Sequence, residues 1–163
     1  MKKAFSLLEI LIVTAILGIL AAIIVPVFQG NSAEAKSTAA KENLRILRGV
    51  IELYTLQHGG TPPGYLSNLA TSGIMIPNQL TRYSDIAGVT SVAKDPAYPC
   101  GPYIKKMPVN PFNNKNSIYR LGNDSSFPET PTGSYGWLYK PATKEIKIDY
   151  DGCDKNGSSY YGY

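Results

Sequence analysis

MKKAFSLLEILIVTAILGILAAIIVPVF, residues 1–28, is the stretch whose reading decides the fold. From Phe5 to Phe28 its only charged residue is Glu9, and Ser6, Thr14, Gly18 and Pro26 are its interruptions. At about 1.5 Å of rise per residue, a helix of this length crosses a hydrocarbon core of roughly 30 Å. Lys2 and Lys3 put positive charge on one flank, which predicts a single pass with the N-terminus in the cytoplasm and the rest of the chain outside. A secretory signal would stop at small residues; here Ala21-Ala22 runs straight on into Ile23, Ile24 and Val25.

Glu9 separates this segment from a plain anchor. An ionised carboxylate costs several kcal/mol in lipid, so an acid in an apolar span calls for a partner. A cut between Ala4 and Phe5 would create one, a new α-amino group at the head of the helix. Between neighbours staggered along a bundle, that amine and Glu9 neutralise each other and set the axial register. Gly18 and Pro26 mark where the helix is expected to bend or melt, because Gly lowers helix propensity and Pro removes an amide donor.

Leader, junction, Phe5, Glu9 and apolar run together resemble the N-terminal signal of type IV prepilins and of the pseudopilins of type II secretion. The resemblance implies a leader 1–4 removed by a prepilin peptidase, Ala4 as its last residue, Phe5 as the methylated one and Glu9 as the assembly carboxylate. Ala4 stands where the family usually carries Gly. Homo-oligomeric assembly into a helical filament follows from the same resemblance, through an inner-membrane assembly machinery, with the precursor held in the cytoplasmic membrane and the filament extracellular or periplasmic.

Beyond residue 30 the pattern changes. Leu44, Leu47, Ile51 and Tyr54, joined by Ile46, Val50 and Leu53, make an apolar face, with Lys41, Arg45, Arg48 and Glu52 opposite, over a helix ending at Gly59-Gly60. Residues 31–59 are read as the amphipathic half of one long helix whose apolar half is 5–30, and they join 60–163 in one globular domain. The stretch 61–116 is loop-rich, with a short helix expected around Tyr65 to Thr71. Ser117 to Leu121 reads as a strand, and Gly136 to Lys140 and Lys144 to Tyr150 as a hairpin about Pro141-Ala142-Thr143. The fold class is α+β, a long N-terminal helix packed on a small antiparallel sheet of three or four strands. Tyr103-Ile104-Lys105-Lys106-Met107-Pro108-Val109-Asn110-Pro111-Phe112 resembles the segment before the sheet in major secretion pseudopilins, with Asn110 in place of an acid, Phe112 in place of Trp and Asn113 in place of Gly.

The 163 residues carry a net charge of +4 with only 17% charged side chains. Removal of the leader takes two of those charges away, and the other basic residues are scattered, so no specific nucleic acid partner is expected. Gly, Pro and Tyr are abundant, which favours turns over regular helix.

Outside the cytoplasm a Cys100–Cys153 disulfide is expected, the alternative being two separate thiols. Asp149, Asp151 and Asp154 lie in DYDGCDKNG, whose oxygen donors fit a calcium loop without its closing Glu, and whose plainer reading is a polar turn. The pseudopilins that the chain resembles bind calcium in the loop after the Ser117–Leu121 strand, where this chain offers Asp124 and Glu129. No other cofactor is expected. His58 beside Gly59-Gly60 is read as a favourable charge at a helix C-terminus. No Ser-His-Asp set, phosphate loop or Cys/His cluster is legible, so the chain is read as a filament subunit rather than an enzyme. The competing reading is a membrane-anchored exported domain that binds a ligand through its Asp run or its C-terminal tyrosines.

Overall fold

A computed structural model describes residues 7–163, and for residues 23–31, all helical, it describes the backbone alone. The readings made on Lys2, Lys3, Ala4 and Phe5 lie outside the described residues. Contacts divide the chain into two units, one ending at Lys36 and one running from Ser37 to Tyr163.

The first and longest element is helix α1, Leu7–Gln57. It continues as helix across Gly18 and Pro26, so the melting expected there is not a property of the single chain. One proline removes one amide donor, and the turns on either side keep their own bonds. In the second unit Ala40, Leu44, Leu47, Ile51 and Tyr54 are buried at alternating spacings of four and three, the stripe of a helix with one packed face. Lys41, Arg45, Arg48 and Glu52 are exposed, as the pattern predicts. Leu53 departs from it: two residues past Ile51 is about 200° round the helix, and its side chain stays 45% exposed. Gly59, at φ +61°, takes the left-handed conformation that ends α1, and the Gly60 amide returns to the Thr55 carbonyl at 2.8 Å.

Three small sheets follow. β1 (Tyr65–Leu66) and β2 (Leu69–Ala70) form a tight hairpin where a short helix was expected. Ser67 and Asn68, at φ +49° and +66°, make the two-residue turn whose twist matches antiparallel strands. The helix is instead α2, Met75–Thr81, with Pro77 in its first turn, where the missing amide hydrogen costs nothing. β3 (Tyr83–Ser84) pairs with β4 (Thr90–Ser91).

β5 (Ile118–Arg120), β6 (Trp137–Lys140) and β7 (Glu145–Ile148) form the C-terminal sheet in that order. β6 and β7 are the antiparallel hairpin read from the sequence, with Trp137 opposite Ile148 and Tyr139 opposite Ile146. β5 pairs with β6 in parallel, so the sheet is mixed at one edge rather than wholly antiparallel. Parallel neighbours need a connection long enough to bring the chain back, and residues 121–136 supply it.

Trp137, Tyr139, Ile146 and Ile148 join the α1 stripe, Ile76, Leu80, Met107 and Ile118 in one core. Leu138 is also buried, which makes β6 a strand covered on both faces. Its cross-strand partner Lys147 lies over the rings of Phe127 and Tyr161, so the crossover and the C-terminal segment shield that outer face.

Candidate functional site

Two features carry functional content, the apolar start of α1 and the closure of the crossover beside the C-terminal sheet.

Leu7, Leu8, Ile10, Leu11, Ile12, Val13, Ile16, Leu17, Ile19 and Leu20 are all largely exposed. They occupy every side of the helix, not one stripe. A helix apolar all round is a helix meant to be surrounded, by lipid or by other helices. Glu9 sits among these residues in the first turn, where the helix dipole favours an acid. Among the described residues no helix is long and apolar enough to cross a membrane, and the span read from the sequence, Phe5 to Phe28, extends beyond them.

The crossover is closed from both sides. Asp149, wholly buried at the end of the hairpin, accepts from the amides of Thr132, Gly133 and Tyr135 at 2.7, 2.9 and 2.8 Å and from the Thr132 hydroxyl at 3.0 Å. The carbonyls of the same loop are held by the segment before β5. Asn113 Nδ2 donates to the carbonyls of Tyr135 (2.7 Å) and Asp149 (3.0 Å), and Lys115 Nζ donates to those of Gly133 (2.9 Å) and Ser134 (3.0 Å). Asn110, buried, donates from Nδ2 to the Gly136 carbonyl at 3.0 Å, a bond that an acid at this position could not make. Sequence reasoning missed Asn113, Lys115 and Thr132 as partners; the departures from the family at Asn110 and Asn113 were the signal.

The acids singled out for calcium do not converge in the single chain. Asp149 is committed to loop amides, and Asp151, Asp124 and Glu129 are exposed. Asp154 accepts from the amides of Asn156 and Ser158 and from the Tyr163 hydroxyl, with Lys41 at 3.9 Å. The Ser158 amide foremost, then the Tyr163 hydroxyl, holds its carboxyl below the usual range. Among the described residues no group of three or more His, Cys, Asp or Glu is placed to hold a metal ion.

The expected Cys100–Cys153 bridge is not formed, and both cysteines are free. Cys100 pairs with Ser84 and lies 3.9 Å from the Gln57 carbonyl, whereas Cys153 pairs with Ser159 and adjoins Asp154, which reaches Lys41. Gln57 and Lys41 are separated by about 24 Å of α1, far beyond the roughly 7 Å between Cα atoms that a disulfide tolerates.

The tyrosines of the C-terminus are engaged too. Tyr163 receives a bond from Arg48 on its carbonyl at 2.6 Å and lies under the Lys41 ammonium at 4.3 Å from the ring centre. Tyr160 packs on Phe112 with centroids 4.1 Å apart.

His58 is not a charge at the helix end. It is buried, stacked on Tyr54 at 3.6 Å, with Nδ1 2.8 Å from the Tyr54 carbonyl and Nε2 3.1 Å from Ser84 Oγ. The carbonyl can only accept, so Nδ1 carries the proton and Nε2 accepts from Ser84. Ser84 is fully buried, which leaves this pair no approach for a substrate. Burial holds the imidazole pKa below its ordinary value, partly offset by the bond to the Tyr54 carbonyl. The unfolded chain takes a proton below about pH 6.5 that the folded chain refuses. Stability is therefore full above that pH and is lost as pH falls toward the folded value, by at most about 1.4 kcal/mol per pH unit. Unfolding midpoints measured between pH 7.5 and 5.5 should fall in the wild type and flatten in His58→Gln.

Residues 1–25 match the family model described as the prokaryotic N-terminal methylation motif. The chain is 27% identical over 142 residues to the type II secretion system core protein G of Pseudomonas aeruginosa, covering 83% of this chain and 85% of that one. The protein of the same name from Klebsiella pneumoniae is 28% identical over 124 residues, covering 74% of this chain and 76% of the relative. That from Dickeya chrysanthemi is 25% identical over an alignment of 171, covering 99% and 96%. The chain is thus similar along most of its length to type II secretion core proteins G, and its first 25 residues carry the methylation motif. The matched motif covers the apolar, exposed start of α1. No solved structure matches the chain.

Proposed function

We propose that this pilin-like chain is a major-type subunit of a type II secretion pseudopilus or a closely similar pilus, made as a single-pass precursor in the cytoplasmic membrane with its N-terminus inside. A prepilin peptidase cuts between Ala4 and Phe5, Phe5 is methylated, and the inner-membrane machinery lifts the mature subunit into a filament in the periplasm or outside the cell. Its role is structural and involves no catalysis.

The observation that supports this reading best is the start of α1, apolar and exposed on every side with a single acid, Glu9, in its first turn. Such a surface suits lipid before assembly and neighbouring helices after it. Glu9 then pairs with the α-amino group of an adjacent Phe5. Gly18 and Pro26, which leave the helix intact in the single chain, are the positions where packing can unwind it at least cost. Against the competing reading, an exported ligand-binding domain, Asp149 and Asp154 bind the chain itself and Tyr163 is bonded to Arg48 of α1.

Mass spectrometry of the chain from cells with a prepilin peptidase should find a methylated Phe5 at its N-terminus. Glu9→Ala should insert in the membrane in normal amount but be missing from sheared filaments. An intact Met1, or filaments of normal yield from the Glu9 variant, would overturn the reading.

A further inference from the structure

We infer that the ammonium of Lys115 serves as the built-in cation of the crossover, so that the loop closes, and the second unit folds, without a divalent metal ion. The loop 132–135 has a polarity. Its amide hydrogens point to the Asp149 carboxylate, and its carbonyl oxygens point the other way. A cluster of backbone carbonyls beside a carboxylate-held loop is the environment in which proteins commonly hold calcium, whose preferred ligands are carbonyl and carboxylate oxygens. Here the oxygens of Gly133 and Ser134 receive the Lys115 ammonium at 2.9 and 3.0 Å. Those of Tyr135 and Asp149 receive the Asn113 amide.

The lysine is aimed rather than merely nearby. Asn113 Oδ1 accepts from the Lys115 amide at 3.0 Å, and the Lys115 carbonyl accepts from the Asn110 amide at 2.8 Å. The Lys115 amide is thereby fixed by Asn113 and its carbonyl by the buried Asn110. A Cβ at Gly136 would collide with the Lys115 carbonyl, so Gly136 permits the close approach that puts the ammonium over the loop. Carboxylate below and ammonium above, both tethered, make the closure intramolecular. A tethered cation is present at an effective concentration that a soluble ion must reach by mass action. The acids that would have recruited calcium, Asp124 and Glu129, stand exposed instead of converging on this loop. This inference concerns folding of the second unit and stands or falls independently of the filament reading.

The test is thermal unfolding of the full-length chain in detergent micelles, with millimolar calcium and with EDTA. The wild-type midpoint should be the same in both. Lys115→Met, which keeps the aliphatic stem, should lower it by about 2–4 °C, while Lys115→Arg, which keeps the charge, should remain near wild type. A wild-type midpoint that rises with calcium would overturn the inference, as would a Lys115→Met midpoint equal to the wild type. If Lys115→Met does not fold and Lys115→Arg does, the requirement for the charge stands.

Discussion

Asp149→Ala should unfold the second unit at a midpoint about 8–16 °C below the wild type, the loss of about 4 kcal/mol at the 2–4 °C per kcal/mol expected for a chain of this size. The side chain is wholly buried and accepts four hydrogen bonds, three of them from the loop amides of Thr132, Gly133 and Tyr135. Hydrogen bonds to a charged acceptor contribute about 1.5–3 kcal/mol each, and truncation also leaves donors to be desolvated without a bond. The contributions are not additive, because Thr132, Gly133 and Tyr135 would reach water once the loop opened. Against a total of roughly 5–15 kcal/mol for a domain, even the reduced sum removes a large share. Asp149→Asn should fall nearly as far, since one of its two acceptor sites becomes an NH2 that faces amide donors. Asp151→Ala, two residues on and exposed, should stay within about 0.5 kcal/mol. Circular dichroism melts of the three variants check the ordering, and equal midpoints for Asp149→Ala and Asp151→Ala would show that the loop contributes nothing to closure.

The contrast between those neighbours shows where sequence reasoning had purchase. Periodicity located the α1 stripe and both strands of the hairpin within a residue or two, because Leu44, Leu47, Ile51 and Tyr54, and Trp137 and Ile148, meet requirements written along one stretch of chain. The N-terminal segment carries a different kind of signal. An acid in an apolar run is costly wherever the run goes, so Glu9 calls for a partner without any tertiary information. DYDGCDKNG left a calcium loop and a polar turn both open, because an Asp that binds calcium and an Asp that binds amides look alike until the donors are known, and Thr132 and Tyr135 lie on a different loop. The disulfide failed similarly. Compartment predicts that thiols can pair, but the distance between Cys100 and Cys153 is set by which parts of α1 their loops dock against. His58 was assigned a positive charge from its place at a helix end, and the fold buries it under β3 instead.

Trp137→Ala is the second large loss, about 3–5 kcal/mol. Trp137 begins the central strand of the C-terminal sheet, has no exposed surface and pairs with Ile148 on one side and Ile118 on the other. Truncation opens a cavity between the sheet and the α1 stripe, and it also deprives the Pro108 carbonyl of the indole donor at 3.0 Å. That bond ties the Met107-Pro108 segment to the sheet, so the variant should loosen the chain leading to Asn110 and Asn113 as well as the core itself. Trp137→Phe separates the two terms. It retains most of the apolar volume and loses only the donor, and should cost about 1–2 kcal/mol, the net worth of one buried bond plus a small void. Because Trp137 is the only tryptophan, its emission in the wild type reports the closing of this core directly, with a red shift expected on unfolding. The variants have to be followed by circular dichroism. If Trp137→Phe proved as unstable as Trp137→Ala, the indole bond to Pro108, and not the filled volume, would be what holds the sheet against the helix.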